Sequence, residues 1–91
     1  MLTCKILSLE KNNEYSNIKR ITLPSVKGFV EILSGYAESF IILKEGTIEL
    51  YDNSNSKKEY PIKNGAGYIK DNVLTILVNS NKRDVEFYTK K

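Results

Sequence analysis

Few side chains in this sequence are equipped for chemistry. Cys4 is its single cysteine and histidine is absent. One thiol makes no internal disulfide, a Cys/His zinc cage needs several soft ligands, and a Ser/His or Cys/His nucleophile needs an imidazole. The carboxylates form no evident acid and base pair: Asp52 and Asp71 fall among turn residues, and Glu10, Glu14, Glu38, Glu45 and Glu59 read as surface positions. Gly65-Ala66-Gly67 invites comparison with a phosphate-binding loop. No Lys-Ser/Thr follows it and no helix begins there, so a β-bulge or a close approach of strands is expected instead. No catalytic residue, cofactor or metal site is therefore assigned.

The 91 residues carry a net charge of +3, but the cations are spread along the chain at Lys5, Lys11, Lys27, Lys44, Lys63 and Lys70, with pairs at Lys19-Arg20, Lys57-Lys58, Lys82-Arg83 and Lys90-Lys91. A surface that tracks phosphates needs clustered cations, with aromatics beside them if bases are to stack, so nucleic acid is not an expected partner. The apolar fraction of 41% and charged fraction of 27% are those of a folding chain. The longest apolar runs, Phe40 to Leu43 and Ile76 to Val78, are far shorter than the roughly 20 residues of a membrane-spanning helix.

The elements that must position these side chains are strands. No helical period is sustained, and short β-branched segments recur between turn residues. Leu2 to Leu9 predicts a first strand whose inward phase slips near Ile6-Leu7, followed by a turn at Lys11-Asn12-Asn13. Ile18 to Leu23 follows, stopped by Pro24, and then Phe29 to Leu33 between Gly28 and Gly35. Phe40 to Leu43 reads as a short strand covered on both sides. Thr47 to Tyr51 alternates, with Ile48 and Leu50 inward, and returns through Tyr60 and Ile62 after a polar tip at Asp52 to Lys58. Gly67 to Lys70 and Val73 to Val78 are joined by Asp71-Asn72, two residues that suit a tight primed turn. A last strand at Val85 to Tyr88, or a short tail over 82–91, completes a single domain. About eight to ten short strands in one domain predict an all-β, two-sheet sandwich.

Between Tyr15 and Leu77 the order and spacing of several motifs resemble the epsilon subunit of F-type ATP synthases. They are Ile18-Lys19-Arg20-Ile21-Thr22-Leu23-Pro24, then Gly28 through Ala37, then Lys44-Glu45-Gly46, then Gly65 through Leu77. About two-thirds of the chain takes part. Departures are Ser34 for the family's turn proline, Tyr36 for its histidine, Glu31 for a loop glycine, and Glu45 for the proline of its Lys-Pro-Gly turn. If the position of Glu31 needs positive φ, this chain must bend differently there.

The resemblance implies a non-catalytic rotor subunit on the cytoplasmic face of a bacterial cell membrane, or the equivalent matrix or stromal face, coupling rotation of the gamma subunit to the c ring in proton-driven ATP synthesis. Members carry a C-terminal helical hairpin that brakes hydrolysis; residues 79–91 are too few for one, so the expectation is a sandwich without the hairpin that couples without braking. By the same resemblance, Ser25, Val26, Lys27, Gly28 and Phe29 match the loop resting on the c ring, with Phe29 either an apolar anchor or a core residue. Glu31, Tyr36, Phe40 and Ile42 are the positions for gamma. Glu31 is otherwise an outward strand residue, and only one of the sets Phe40/Ile42 and Ile41/Leu43 can be free. A different reading, an independent ligand- or nucleic-acid-binding β-module, requires Tyr51, Tyr60 and Tyr68 to converge with lysines.

Overall fold

The computed structural model describes residues 1–80; the strand expected at Val85 to Tyr88 and the tail over 82–91 lie outside them. Seven strands follow one another: β1 Leu2–Leu7, β2 Asn12–Ser25, β3 Gly28–Ile32, β4 Ser39–Leu43, β5 Gly46–Asp52, β6 Lys57–Lys70 and β7 Val73–Ser80. They are joined in one continuous hydrogen-bonded sheet. Among the described residues there is one strand fewer than expected, because β6 runs through both the segment at Tyr60 and Ile62 and that at Gly67 to Lys70; β2, also of 14 residues, likewise runs on where turn residues suggested breaks. Asn12 and Asn13 already pair with Leu7 and Ile6, and Pro24 lies inside β2, opposite Phe29.

These two long strands fold the sheet into two layers. The first part of β2 pairs with β1 and its second part with β3 and β5. Likewise β6 pairs with β5 over residues 57–62 and with β4 over 65–69. Layer I therefore contains β3, the end of β2, β5 and the start of β6. Layer II contains β4, the rest of β6, β7, β1 and the start of β2. Each changeover coincides with irregular pairing, between Ile18 and Arg20 in β2 and between Ile62 and Asn64 in β6, as a bulge bends a strand round a corner. Asn17, next to the first corner, has φ 58°. The extra residue opposite Leu2 and Cys4 is thus in β2. The phase slip expected in β1 is absent: Leu2, Cys4 and Ile6 all point inward.

Between the layers lie Leu2, Cys4, Ile6, Leu74, Ile76, Ile69, Ile41 and Leu43 from layer II, facing Ile21, Leu23, Ile32, Ile48, Leu50 and Ile62. Fully burying an aliphatic side chain contributes about 1.5–3 kcal/mol, so this cluster is the principal source of stability. Burial pushes the Cys4 thiol up to about 12 from its ordinary 9.0, because a thiolate would lose its hydration there.

Two close approaches explain where small or donor-less residues stand. The backbone oxygen of Pro24 accepts from Lys44 N at 2.9 Å, so at this position β2 faces the join between β4 and β5, where its missing N–H leaves no gap in the β3 ladder. A Cβ on Gly46 would stand 2.7 Å from Pro24 Cβ; this glycine provides room, and its φ is not positive. A Cβ on Gly65 would meet the Leu77 backbone oxygen at 2.5 Å, so the Gly65-Ala66-Gly67 stretch is a close strand approach, as expected. Asp71 and Asn72 both adopt positive φ, 51° and 65°, and make the predicted turn between Lys70 and Val73.

Candidate functional site

The alternation that fills the core also determines what each layer presents outward. In layer II the register aligns Ile42 with Ala66, Ala66 with Leu77 and Leu77 with Leu7. Four apolar side chains from four strands thus stand in one row, about 14 Å long at the usual strand spacing. The parallel row holds Phe40, Tyr68, Thr75, Lys5 and Glu14. Phe40 is 80% exposed, Ile42 56% and Leu77 58%. The Phe40 and Tyr68 ring centroids are 4.6 Å apart, the rings tilted by 35°. Tyr68 donates its hydroxyl hydrogen bond to Glu38 Oε2, and that bond, more than desolvation, raises the Tyr68 pKa.

The outer face of layer I is built differently. Arg20 pairs with Glu31 at 3.2 Å and lies over the Tyr51 ring at 3.9 Å. Tyr51 donates to Glu49 at 2.9 Å, and Lys57 reaches Glu49 at 3.6 Å and Glu59 at 3.3 Å. Hydrogen bonding to Glu49 raises the Tyr51 pKa, and the contact with Glu59, ahead of the Coulombic pull of Glu49, raises that of Lys57. These are exposed pairs of small individual worth. Their main effect is to leave the charged groups of this face satisfied within the chain; Phe29, on the same side of β3 as Glu31, remains exposed.

At the end of the sandwich β2 turns into β3 through Val26 and Lys27. Ser25 is buried and closes the turn itself, donating from Oγ to Gly28 O at 2.6 Å and accepting from Lys27 N at 3.0 Å. Gly28 takes φ 115°, a conformation that L side chains rarely adopt. Val26 N donates to Ile42 O at 2.9 Å, tying the turn to the end of β4. Lys27 is exposed, Val26 is exposed, and Phe29 is 80% exposed, which resolves the alternative left open for Phe29: it is outside the core.

The positions singled out from sequence therefore separate. Ser25 and Gly28 shape the turn, while Val26, Lys27 and Phe29 are presented by it. Phe40 and Ile42 share the outer face of layer II, so of the two alternating sets on β4 it is Ile41 and Leu43 that are buried. The expectation that β4 is covered on both sides is corrected accordingly. Glu31 lies on the other layer's outer face, in regular strand and without positive φ. Tyr36, in the turn before β4, is half-buried against the core; that turn is set by Gly35 at φ 85°, whose N–H donates to Asn72 Oδ1 at 2.8 Å. Ala66, Tyr68, Leu77 and Leu7 belong to the exposed rows and were not anticipated. Their alternation was readable, but only the register places them beside Phe40 and Ile42. The three tyrosines do not converge: Tyr51 and Tyr68 are on opposite outer faces and Tyr60 packs on the core.

The sequence matches the profile of the ATP synthase delta/epsilon chain β-sandwich domain over residues 1–84. The chain belongs to this family. Its fold is also that of solved ATP synthase chains. One is from the Tetrahymena thermophila mitochondrial ATP synthase central stalk and c ring, with TM-score 0.73 and 16% identity, 87% of this chain and 63% of that one being covered. Another is from the Euglena gracilis mitochondrial ATP synthase, with TM-score 0.79 and 15% identity, covering 98% and 61% respectively. The delta/epsilon sandwich thus spans about three-fifths of the length of these neighbours. Comparison with curated protein sequences gives no match.

Proposed function

We propose that this delta/epsilon sandwich is a non-catalytic rotor subunit of a proton-translocating F-type ATP synthase. It seats on the gamma subunit through the outer face of layer II and on the c ring through the β2–β3 turn. Family membership over residues 1–84 supports the rotor role, and the observation that carries the docking assignment is the apolar row of Ile42, Ala66, Leu77 and Leu7 beside exposed Phe40. An exposed contiguous apolar strip on a small soluble domain marks an interaction surface, and here it lies opposite a face whose charges are paired within the chain.

In this reading gamma meets Phe40 and Ile42, with Leu77, Ala66 and Tyr68 extending the contact. The c ring meets Lys27, whose ammonium suits acidic or carbonyl oxygens of its polar loops, and Phe29 and Val26, which supply apolar area. Torque passes through a rigid body: the two faces and the turn are fixed to one core, so load at the turn reaches layer II without a hinge between them. The subunit sits peripherally, on the membrane side that carries the catalytic head. Catalysis of ATP synthesis belongs to other subunits.

Reconstitution tests this directly. Purified gamma subunit and c ring are each titrated with the full chain and its variants. Phe40→Asp is expected to abolish binding to gamma and spare the c ring, and Phe29→Asp to do the reverse. Binding to neither partner by the folded wild-type chain would refute the rotor assignment.

A further inference from the structure

A tyrosine hydrogen-bonded to a glutamate stands on both outer faces, with an arginine beside it on one face only among the described residues. On layer I the group consists of the Tyr51 ring, the carboxylate that takes its hydroxyl hydrogen bond, Glu49, and the chain's own Arg20 over the ring at 3.9 Å with Glu31 as its ion-pair partner. On layer II, Tyr68 bonds to Glu38 in the same manner and its ring is flanked by exposed Phe40. Among the described residues no cation lies over it. Glu38 makes no ion pair among the described residues, and its hydrogen bond engages Oε2, leaving Oε1 free. The other charged groups of this corner are Lys70 and Asp71. Extending the β4–β6 register by one residue places Lys70 opposite Glu38, yet the two form no ion pair.

We propose that this open site receives an arginine side chain from the protein that seats on the apolar row, its guanidinium plane over the Phe40 ring and its N–H groups on Glu38. The assignment rests on the reading of layer II as the face that docks the gamma subunit. Arginine suits the site better than lysine, since a planar, weakly hydrated guanidinium stacks on a ring while its fork bonds a carboxylate. Ile42 and Leu77 in the adjoining row would exclude water once a partner is seated, which strengthens the ionic contact. In layer I an arginine likewise stacks on a ring while bonding a carboxylate, although there the ring is the tyrosine itself and the carboxylate, Glu31, is not the one that takes its hydroxyl hydrogen bond.

The test is calorimetric titration of the full chain with purified gamma subunit at low and moderate salt. Glu38→Gln is expected to weaken binding about tenfold at low salt and to flatten its salt dependence. Phe40→Leu, which keeps apolar area and removes the ring, is expected to weaken it several-fold. Both positions are exposed, so thermal unfolding of the free variants should match wild type. A charge swap gives the sharpest support: Glu38→Arg should lose binding, and one arginine-to-glutamate change in gamma should restore it. If Glu38→Gln alters neither affinity nor salt dependence while Phe40→Asp abolishes binding, the arginine site is wrong and the docking face stands. If Phe40→Asp also has no effect, both are overturned.

Discussion

On the outer face of layer I, Glu31, Glu49 and Glu59 each meet a cation of their own chain, and the Tyr51 ring is already covered by Arg20, so that the exposed ring there is Phe29, beside the β2–β3 turn. On the outer face of layer II the rings of Phe40 and Tyr68 meet each other, Ile42 and Leu77 stand open, and Glu38 has a hydrogen bond but no counterion among the described residues. The faces come from the same strands. β2 and β6 contribute to both layers, and in each layer the buried inward side chains are apolar, Ser25 in the β2–β3 turn excepted. What differs is only the outward half of each alternation. A sheet that needs nothing outside itself places charges there, and one that needs a partner leaves apolar area. The lesson is that the informative residues of a small β-domain are the outward ones, because the inward ones would look alike whatever the function.

Substitutions can break this comparison, beginning with the largest effect. Phe40→Asp combined with Ile42→Asp should reduce gamma binding by at least about 100-fold while changing the unfolding free energy of the isolated chain by no more than about 0.5 kcal/mol, as for surface changes. The pair of readouts matters. A parallel loss of stability would mean that the face belongs to the fold and not to a partner.

A second substitution challenges the rigidity of layer II itself. Gly65→Ala should cost roughly 1–3 kcal/mol in chemical denaturation, since its Cβ would meet the Leu77 backbone oxygen at 2.5 Å and push β6 from β7. Gamma binding should fall with it, because Ala66 and Leu77 would leave their common row. Unchanged stability would show that the strands separate more easily than described.

Layer I supplies a weaker and opposite expectation. Arg20→Ala removes the ion pair with Glu31 and the contact with Tyr51, and should cost at most about 1 kcal/mol of stability with gamma binding unchanged. Lost binding would mean that the ionic face also docks.

The effect that is silent at neutral pH concerns the core beneath both faces. Native Cys4 holds its proton up to about pH 12, whereas an unfolded thiol releases it near 9.0. The folded state therefore binds more protons in that interval, and the contribution of Cys4 to stability, complete below pH 9, should decline as pH rises from about 9 toward 12. Comparing Cys4→Val with the wild-type chain in denaturant titrations across this range isolates the slope. Equal slopes would place the thiol in contact with water.

Much of the fold was legible because alternation and turn chemistry are local. Ile48 and Leu50 point inward, Asp71-Asn72 adopts the primed turn, and Asp52 Oδ1 accepts from Ser54 N and Ser56 N at 2.9 and 3.0 Å in the hairpin tip. Pro24 misled because a proline stops a strand only where its N–H faces a ladder, and here that side faces the join between β4 and β5. Asn12 and Asn13 misled because turn propensity yielded to pairing with β1. The candidate site was half legible. The free side of β4 depended on which layer it joined, and the row through Ala66, Leu77 and Leu7 depended on register between residues as far apart in sequence as Leu7 and Leu77, which no local pattern records. Glu31 looked outward and was, but on the other face.

Which outer face gamma covers can be read from labelling. Single cysteines introduced by Ile42→Cys and Leu77→Cys on layer II, and by Thr22→Cys and Thr47→Cys on layer I, can be alkylated with a maleimide in the free chain and in the assembled rotor, Cys4 staying silent because it is buried and protonated. The prediction is at least about tenfold slower labelling at positions 42 and 77 upon assembly, with 22 and 47 unchanged. Protection at 22 and 47 with free labelling at 42 and 77 would contradict it.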